Sequence, residues 1–219
     1  MKRIFRRIPL WAAVCSVFSF VSCIGVQGEI NLKQDGSGTI KLEYRMSLAL
    51  ESLGQLGGNE AWPVIPAGES DFRRSVDRIE GLRLNSFSSK TDSRDIIHTA
   101  DLSFSSPEAL ALFLAGTGPS GLPAFRASGG ENSISLTLSG GHEDLDPDLA
   151  ALAGSIFAGY GFSLSLNAPG TPAFSFPGSA DAGKAPVGRL DSAPGKALFQ
   201  ADMYDLAVYR EPLVLRMEW

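Results

Sequence analysis

Apolar residues fall on alternate positions at Ile30 and Leu32 and again, strictly, at Ile40, Leu42, Tyr44 and Met46. Between the two runs stands Gln34-Asp35-Gly36-Ser37-Gly38. Period-two alternation puts the apolar side chains of an extended segment on one face. Asp-Gly followed by another glycine supplies the positive-φ positions of a tight reversal. The pattern predicts a β-hairpin with one greasy face, and two strands cannot bury that face by themselves. The rest of the chain must therefore build a sheet onto it. Asp35 is a single carboxylate, too few to make the turn a cation loop.

The residues that follow offer strands and short helices in alternation. Residues 47–55 read as a short helix ahead of the irregular Trp62-Pro63-Val64-Ile65-Pro66. Phe72, Val76 and Ile79 share one face of a second helix. Its Arg73, Arg74 and Arg78 are mixed with Asp71, Asp77 and Glu80, which reads as a solvated face rather than a headgroup patch. Leu82, Leu84 and Ser86 mark one strand and residues 96–104 another, joined by the polar Ser88-Ser89-Lys90-Thr91-Asp92-Ser93. Ser106-Pro107-Glu108 opens a helix with a capping hydroxyl, a proline suited to the first turn and an acid at the positive end of the dipole. The body of that helix, residues 109–115, is apolar on every side, so it is buried on both faces or lies against something greasy.

Residues 116–130 read as a Gly/Pro-rich connection, followed by a strand carrying Ile134, Leu136 and Leu138. Asp146-Pro147-Asp148 opens a third helix with Leu149, Leu152, Ile156 and Phe157 at helical spacing. Phe162, Leu164 and Leu166 form a strand, and Phe174 and Phe176 alternate after Pro169-Gly170. A loose segment runs to Gly195, and two strands close the chain, residues 197–201 and Leu213, Leu215, Met217, Trp219. No period of roughly 20–50 residues recurs, which excludes a solenoid. The expected fold class is α+β: residues 30–219 form one domain, a mainly antiparallel, curved sheet begun by the N-terminal hairpin, with two or three short helices packed on it.

The N-terminus carries a different message. Lys2, Arg3, Arg6 and Arg7 precede an apolar run over residues 8–21 that ends at Phe20-Val21-Ser22-Cys23. A spanning helix needs roughly 20 apolar residues, and this run is shorter. Residues 1–22 read as an export signal. Without them the chain keeps fifteen Lys and Arg against 24 Asp and Glu, a net charge of −9, which makes nucleic acid an unsuitable partner. Cys15 leaves with the signal, so Cys23 is the last thiol and no disulfide framework is available. The fold must rest on its core, which a single domain of this length can supply. Residues 23–29 would be a short tether of about 20 Å at full extension, holding the domain close to whatever Cys23 is attached to.

Candidates for chemistry are few. The chain has two histidines, His98 and His142, and lacks Gly-x-Ser-x-Gly, Walker, Cys-x-x-Cys and His-Glu-x-x-His motifs. On Ile96-Ile97-His98-Thr99 an outward polar histidine is the ordinary reading. Asp144, Asp146 and Asp148, next to His142 and Glu143, have the spacing that opens a calcium loop. Pro147 and Leu149 stand where such a loop needs flexibility and glycine, and no closing glutamate follows. A helix cap explains them, and neither a metal nor another cofactor is expected. Apolar surface is what the chain has in plenty, with thirteen Phe. If the helices cover the sheet incompletely they leave an apolar cavity, and by helical spacing Leu110, Phe113, Leu114, Ile156 and Phe157 would line it.

Two resemblances sharpen these expectations. Basic residues, a short apolar run and Val21-Ser22-Cys23 resemble a bacterial lipoprotein precursor, which implies that Cys23 receives a diacylglyceryl thioether and becomes the first residue. The other reading is an ordinary signal peptide with Cys23 a plain thiol. The succession from Asp35-Gly36-Ser37-Gly38-Thr39 through the helical middle to Phe162-Ser163-Leu164-Ser165-Leu166, Pro169-Gly170 and Trp219 resembles the LppM-type lipoprotein domain. That likeness implies a β-rich domain at the cell envelope concerned with lipids or glycolipids. Together they lead to the expectation of a non-catalytic lipoprotein, anchored to the cell membrane or outer membrane by its N-terminal acyl chains and facing an extracytoplasmic compartment. It would bind a lipid or other apolar ligand close to the bilayer. A scaffold lipoprotein that docks on an envelope complex, and a hydrolase of unrecognised site, are the rival classes.

Overall fold

A computed structural model of the chain describes residues 24–48, 68–116, 127–130, 132–140, 151, 154–155, 157–177 and 185–219. Eleven strands and three helices lie among them. In chain order they are β1 (Ile24–Leu32), β2 (Gly38–Ser47), α1 (Glu69–Val76), β3 (Leu82–Thr91), β4 (Asp95–Phe104), α2 (Pro107–Gly116), β5 (Ala127–Gly130), β6 (Ser133–Gly140), β7 (Gly161–Asn167), β8 (Ala173–Ser175), β9 (Arg189–Ala193), β10 (Lys196–Asp202), α3 (Met203–Val208) and β11 (Pro212–Glu218). The α+β class expected from the sequence holds. The strands divide into a seven-stranded sheet of order β3-β4-β2-β1-β7-β10-β9 and a four-stranded one of order β5-β6-β11-β8. Every pairing is antiparallel except β1 with β7, and neither sheet closes into a barrel.

The hairpin forms where the alternation places it, with Leu32 opposite Gly38 and Ile30 opposite Ile40. Its turn is closed by side-chain chemistry. Asp35 Oδ1 accepts from the Ser37 backbone N–H at 2.9 Å and from the Ser37 hydroxyl at 2.7 Å, and Gly36 takes φ of +80°, open to glycine without strain. The two Ser37 bonds hold the Asp35 carboxyl below its ordinary value.

Register carries the pattern across the whole sheet. Leu84, Leu102, Ile40, Ile30, Leu166 and Ala197 stand in one row, and Phe87, Ala100, Leu42, Gly28, Leu164 and Phe199 in the next. These rows form the inner face. One hydrophobic cluster joins them to α2, to Ile134 and Leu136 of β6, and to Leu213, Leu215 and Met217 of β11. Phe199 meets Phe176 edge-on at 5.3 Å and Phe162 at 5.8 Å. A side chain buried as completely as Ile30 or Leu102 is stabilising by about 1.5–3 kcal/mol relative to leaving it in water.

Four local expectations are corrected. β1 begins at Ile24, so residues 24–29, read as tether, are strand. Val26 and Gly28 continue the inward parity of Ile30, but Gly28 breaks the apolar signal. A Cβ there would come within 2.7 Å of Leu164 Cδ1, so a larger residue would have to displace that side chain. The polar stretch after Ser86 is not a loop. β3 runs to Thr91, and the reversal occupies only residues 92–94, where Asp92 Oδ1 accepts the backbone N–H of Arg94 and of Asp95, both at 2.8 Å. The loose segment before Gly195 contains β9, an edge strand in which only Leu190 packs against the core and the other four side chains are exposed. Ala127–Gly130, inside the expected connection, pairs with β6 as β5.

The helices behave as their composition requires. Ser106 Oγ accepts the Ala109 N–H at 3.3 Å at the head of α2. Of the large apolar side chains on that helix, only Leu112 is exposed, at 60%. α1 buries Phe72 and turns Arg73 outward, where its Nε donates to Glu69 Oε1 at 3.0 Å. The expected helices over residues 47–55 and from Asp146 lie for the most part outside the described residues.

Candidate binding cleft

The outer face of the seven-stranded sheet is mainly polar, with Ile97 and Leu198 as apolar exceptions. Ser88, Thr99, Glu43, Gln27, Ser163, Gln200 and Arg189 stand side by side across the seven strands. At one end of the sheet this face sinks into a cleft of about 690 Å³, within the range of about 300–1,000 Å³ usual for small-molecule sites. Its polar lining comes from Gln27 on β1, Glu43 and Arg45 on β2, Ser163 on β7, Gln200 and Asp202 on β10 and Arg189 on β9.

Glycine makes the depression. Gly25 and Gly161 stand at the starts of β1 and β7. The ring of Tyr160 lies over Gly25, where a Cβ would come within 3.1 Å of Tyr160 Cδ1. That bare position lets the Tyr160 hydroxyl reach across and donate to Asp95 Oδ1 at the start of β4. Asp95 is buried, and its other oxygen lies 3.5 Å from Arg45 Nη1. A buried carboxylate is tolerated when charge and hydrogen bonds compensate it, and Arg45 and Tyr160 do so together. They tie β2, β4 and the entry to β7 at the cleft wall.

The opposite wall turns at Gly188, where φ is +74° and a Cβ would lie 2.1 Å from the Gln200 carbonyl oxygen. No other residue fits there. Arg189 then folds back along β10, its Nε and Nη2 donating to Gln200 Oε1 at 3.1 and 2.6 Å. Asp202 and Asp205, at the head of α3, complete the rim, and neither carboxylate has a partner among the described residues. A second hollow of about 530 Å³ adjoins the cleft at Gly188 and Asp205. Its further lining is Pro186, Val187, Val208 and Tyr209 together with the charged Arg210 and Glu211.

The cleft differs from the site read in the sequence. Leu110, Phe113 and Leu114 lie in the hydrophobic core at 2, 0 and 8% exposure and do not line either hollow. Phe157 is half-buried, and its carbonyl accepts the Tyr160 N–H at 3.1 Å, which sets it beside the cleft wall. Cys23, Ile156, His142, Asp144, Asp146 and Asp148 lie outside the described residues. His98 is corrected: it shares the inward parity of Ala100 and Leu102, faces Tyr44 across the ladder and stacks on Phe87 at 5.8 Å. Among the described residues no group of three or more His, Cys, Asp or Glu could hold a metal ion, and no helix is long and apolar enough to cross a membrane.

No protein-family model matches the chain, and no curated protein does. Among solved structures, the NMR structure of the folded domain of LppM from Mycobacterium tuberculosis is similar, with a TM-score of 0.43 and 11% identity, covering 91% of this chain and 92% of that one. No residue role comes with that likeness.

Proposed function

We propose that the protein is a non-catalytic envelope lipoprotein, held to a bilayer by acyl chains on Cys23, that binds a lipid or other apolar ligand at the membrane surface. The observation that carries this reading is the position of the cleft. Cys23 is followed directly by β1, whose residues Gly25, Val26 and Gln27 line the cleft. Two residues of extended chain reach about 7 Å, so an anchor at Cys23 sets the cleft at headgroup level. Two or more acyl chains hold a protein firmly at a bilayer where one is marginal. Cys23→Ser in the full-length chain should abolish lipid-dependent processing and move the protein from the membrane to the soluble fraction. Unchanged processing and partitioning would overturn the anchor.

The close packing of Leu110, Phe113 and Leu114 favours a second reading, a scaffold that docks on an envelope complex with no ligand inside it. Native mass spectrometry of protein taken from its own envelope separates the two. Lipid released on denaturation supports binding; an apoprotein that also ignores added lipid extract supports docking.

A further inference from the structure

We infer that the cleft at the start of β1 is the ligand site and that it takes a headgroup bearing both a phosphate ester and a primary amine, the glycerol backbone lying toward the hollow beyond Gly188. This rests on the reading of the protein as a lipid-binding lipoprotein and names the site and the head it selects. Charge is the first ground. The cleft holds two cations, Arg45 and Arg189, and three anions, Glu43, Asp202 and Asp205. Arg45 has Asp95 at 3.5 Å and Glu43 at 4.0 Å, while Arg189 has Asp191 at 3.5 Å. Each guanidinium nonetheless carries more N–H donors than these contacts use. Asp202 and Asp205 are unpaired among the described residues. A head with phosphate alone would meet an excess of carboxylate, and a bare amine would leave the guanidinium donors and the floor of Gln27, Ser163 and Gln200 without an acceptor. A zwitterionic head satisfies both.

Geometry is the second ground. Arg45 on β2 and Asp202 on β10 stand three strand spacings apart across β1 and β7, about 14 Å between backbones. Side chains reaching in from both sides leave room between them for one small head. The third ground is continuity. The polar cleft and the hollow with Val187, Val208 and Tyr209 share Gly188 and Asp205, so one amphiphile can lie along both.

The test is a titration of the full-length protein in detergent, followed by backbone amide shifts. Three probes are compared: dihexanoyl phosphatidylethanolamine, dihexanoyl phosphatidylglycerol and glycerophosphoethanolamine, which lacks chains. The expected result is shifts at Gln27, Ser163, Gln200 and Asp205 with the ethanolamine lipid. Binding should be about fivefold weaker for the glycerol head, the scale of one partly exposed ion pair, and weaker still for the chainless head. Ser163→Trp, an outward position on β7, should fill the cleft and abolish the shifts, and Asp205→Lys should reverse the preference between the two lipids. Equal binding of both lipids overturns the headgroup assignment. Shifts on α2 that ignore Ser163→Trp overturn the cleft but leave a lipid-binding protein. Absence of binding by all three probes at any site overturns the inference and the lipid-binding reading together.

Discussion

The two faces of the seven-stranded sheet belong to the same strands and obey different rules. On the inner face each position is fixed by volume: Ile30, Ile40, Leu102 and Phe199 are fully enclosed and read as apolar in any homogeneous packing argument. On the outer face side chains are polar and tolerant along most of the sheet, until the end where β1 and β7 begin. There Gly188 is as tightly constrained as any core residue, but by what must not be present, and a Cβ at Gly25 would press on the ring of Tyr160. A site built from missing side chains is held as firmly as a core and leaves almost no mark on hydropathy.

Substitutions measure that contrast. Phe113→Ala, in the enclosed body of α2, should cost about 3–5 kcal/mol, seen as a large fall in denaturant midpoint; a loss near zero would mean that the inner face is not filled. Gly188→Ala should cost about 1–3 kcal/mol for strain at positive φ, although it adds a methyl group at an exposed turn. An unaffected midpoint there would reduce the cleft wall to an ordinary loop. Tyr160→Phe removes one hydroxyl and leaves the Asp95 carboxylate short of a donor, worth about 1–2 kcal/mol, with Asp95→Asn partly restoring stability to the double variant.

The smallest effect is electrostatic. The Ser37 bonds depress the Asp35 carboxyl, and the Arg94 and Asp95 backbone bonds depress that of Asp92, both from 3.8. A carboxyl lowered in the folded state contributes stability that is complete above its unfolded value and disappears as pH falls through the folded one. Acid titration of stability should therefore steepen below pH 3.8, and Asp35→Asn and Asp92→Asn should flatten it. An identical acid limb in the double variant would show that neither turn contributes.

How much of this was legible follows the same division. The hairpin, β4, β6, β7, β10, β11 and α2 were readable because their apolar residues keep step with the strand or helix period. β9 was not, since an edge strand with mostly exposed side chains has no reason to alternate. β5, Ala-Ser-Gly-Gly, has no side chains large enough to signal a face. The cleft was illegible for a related reason. Leu110, Phe113 and Leu114 are conspicuous in the sequence because they are greasy, and the structure encloses them in the core. The cleft draws one to three residues from each of β1, β2, β7, β9 and β10, which only the register brings together. Its one local trace is the glycines around Tyr160, at Gly159 and Gly161.

The parallel pairing of β1 with β7 sets a timetable. β1 lies mid-sheet, yet Val26 waits for Phe162 and Ile30 for Leu166, so the earliest strand to emerge during synthesis lacks one of its two neighbours until most of the chain has followed. Long-range closure of this kind is slow. Under the export proposed above such a delay would be of use, because the half-built sheet offers no finished body to jam a translocation pore.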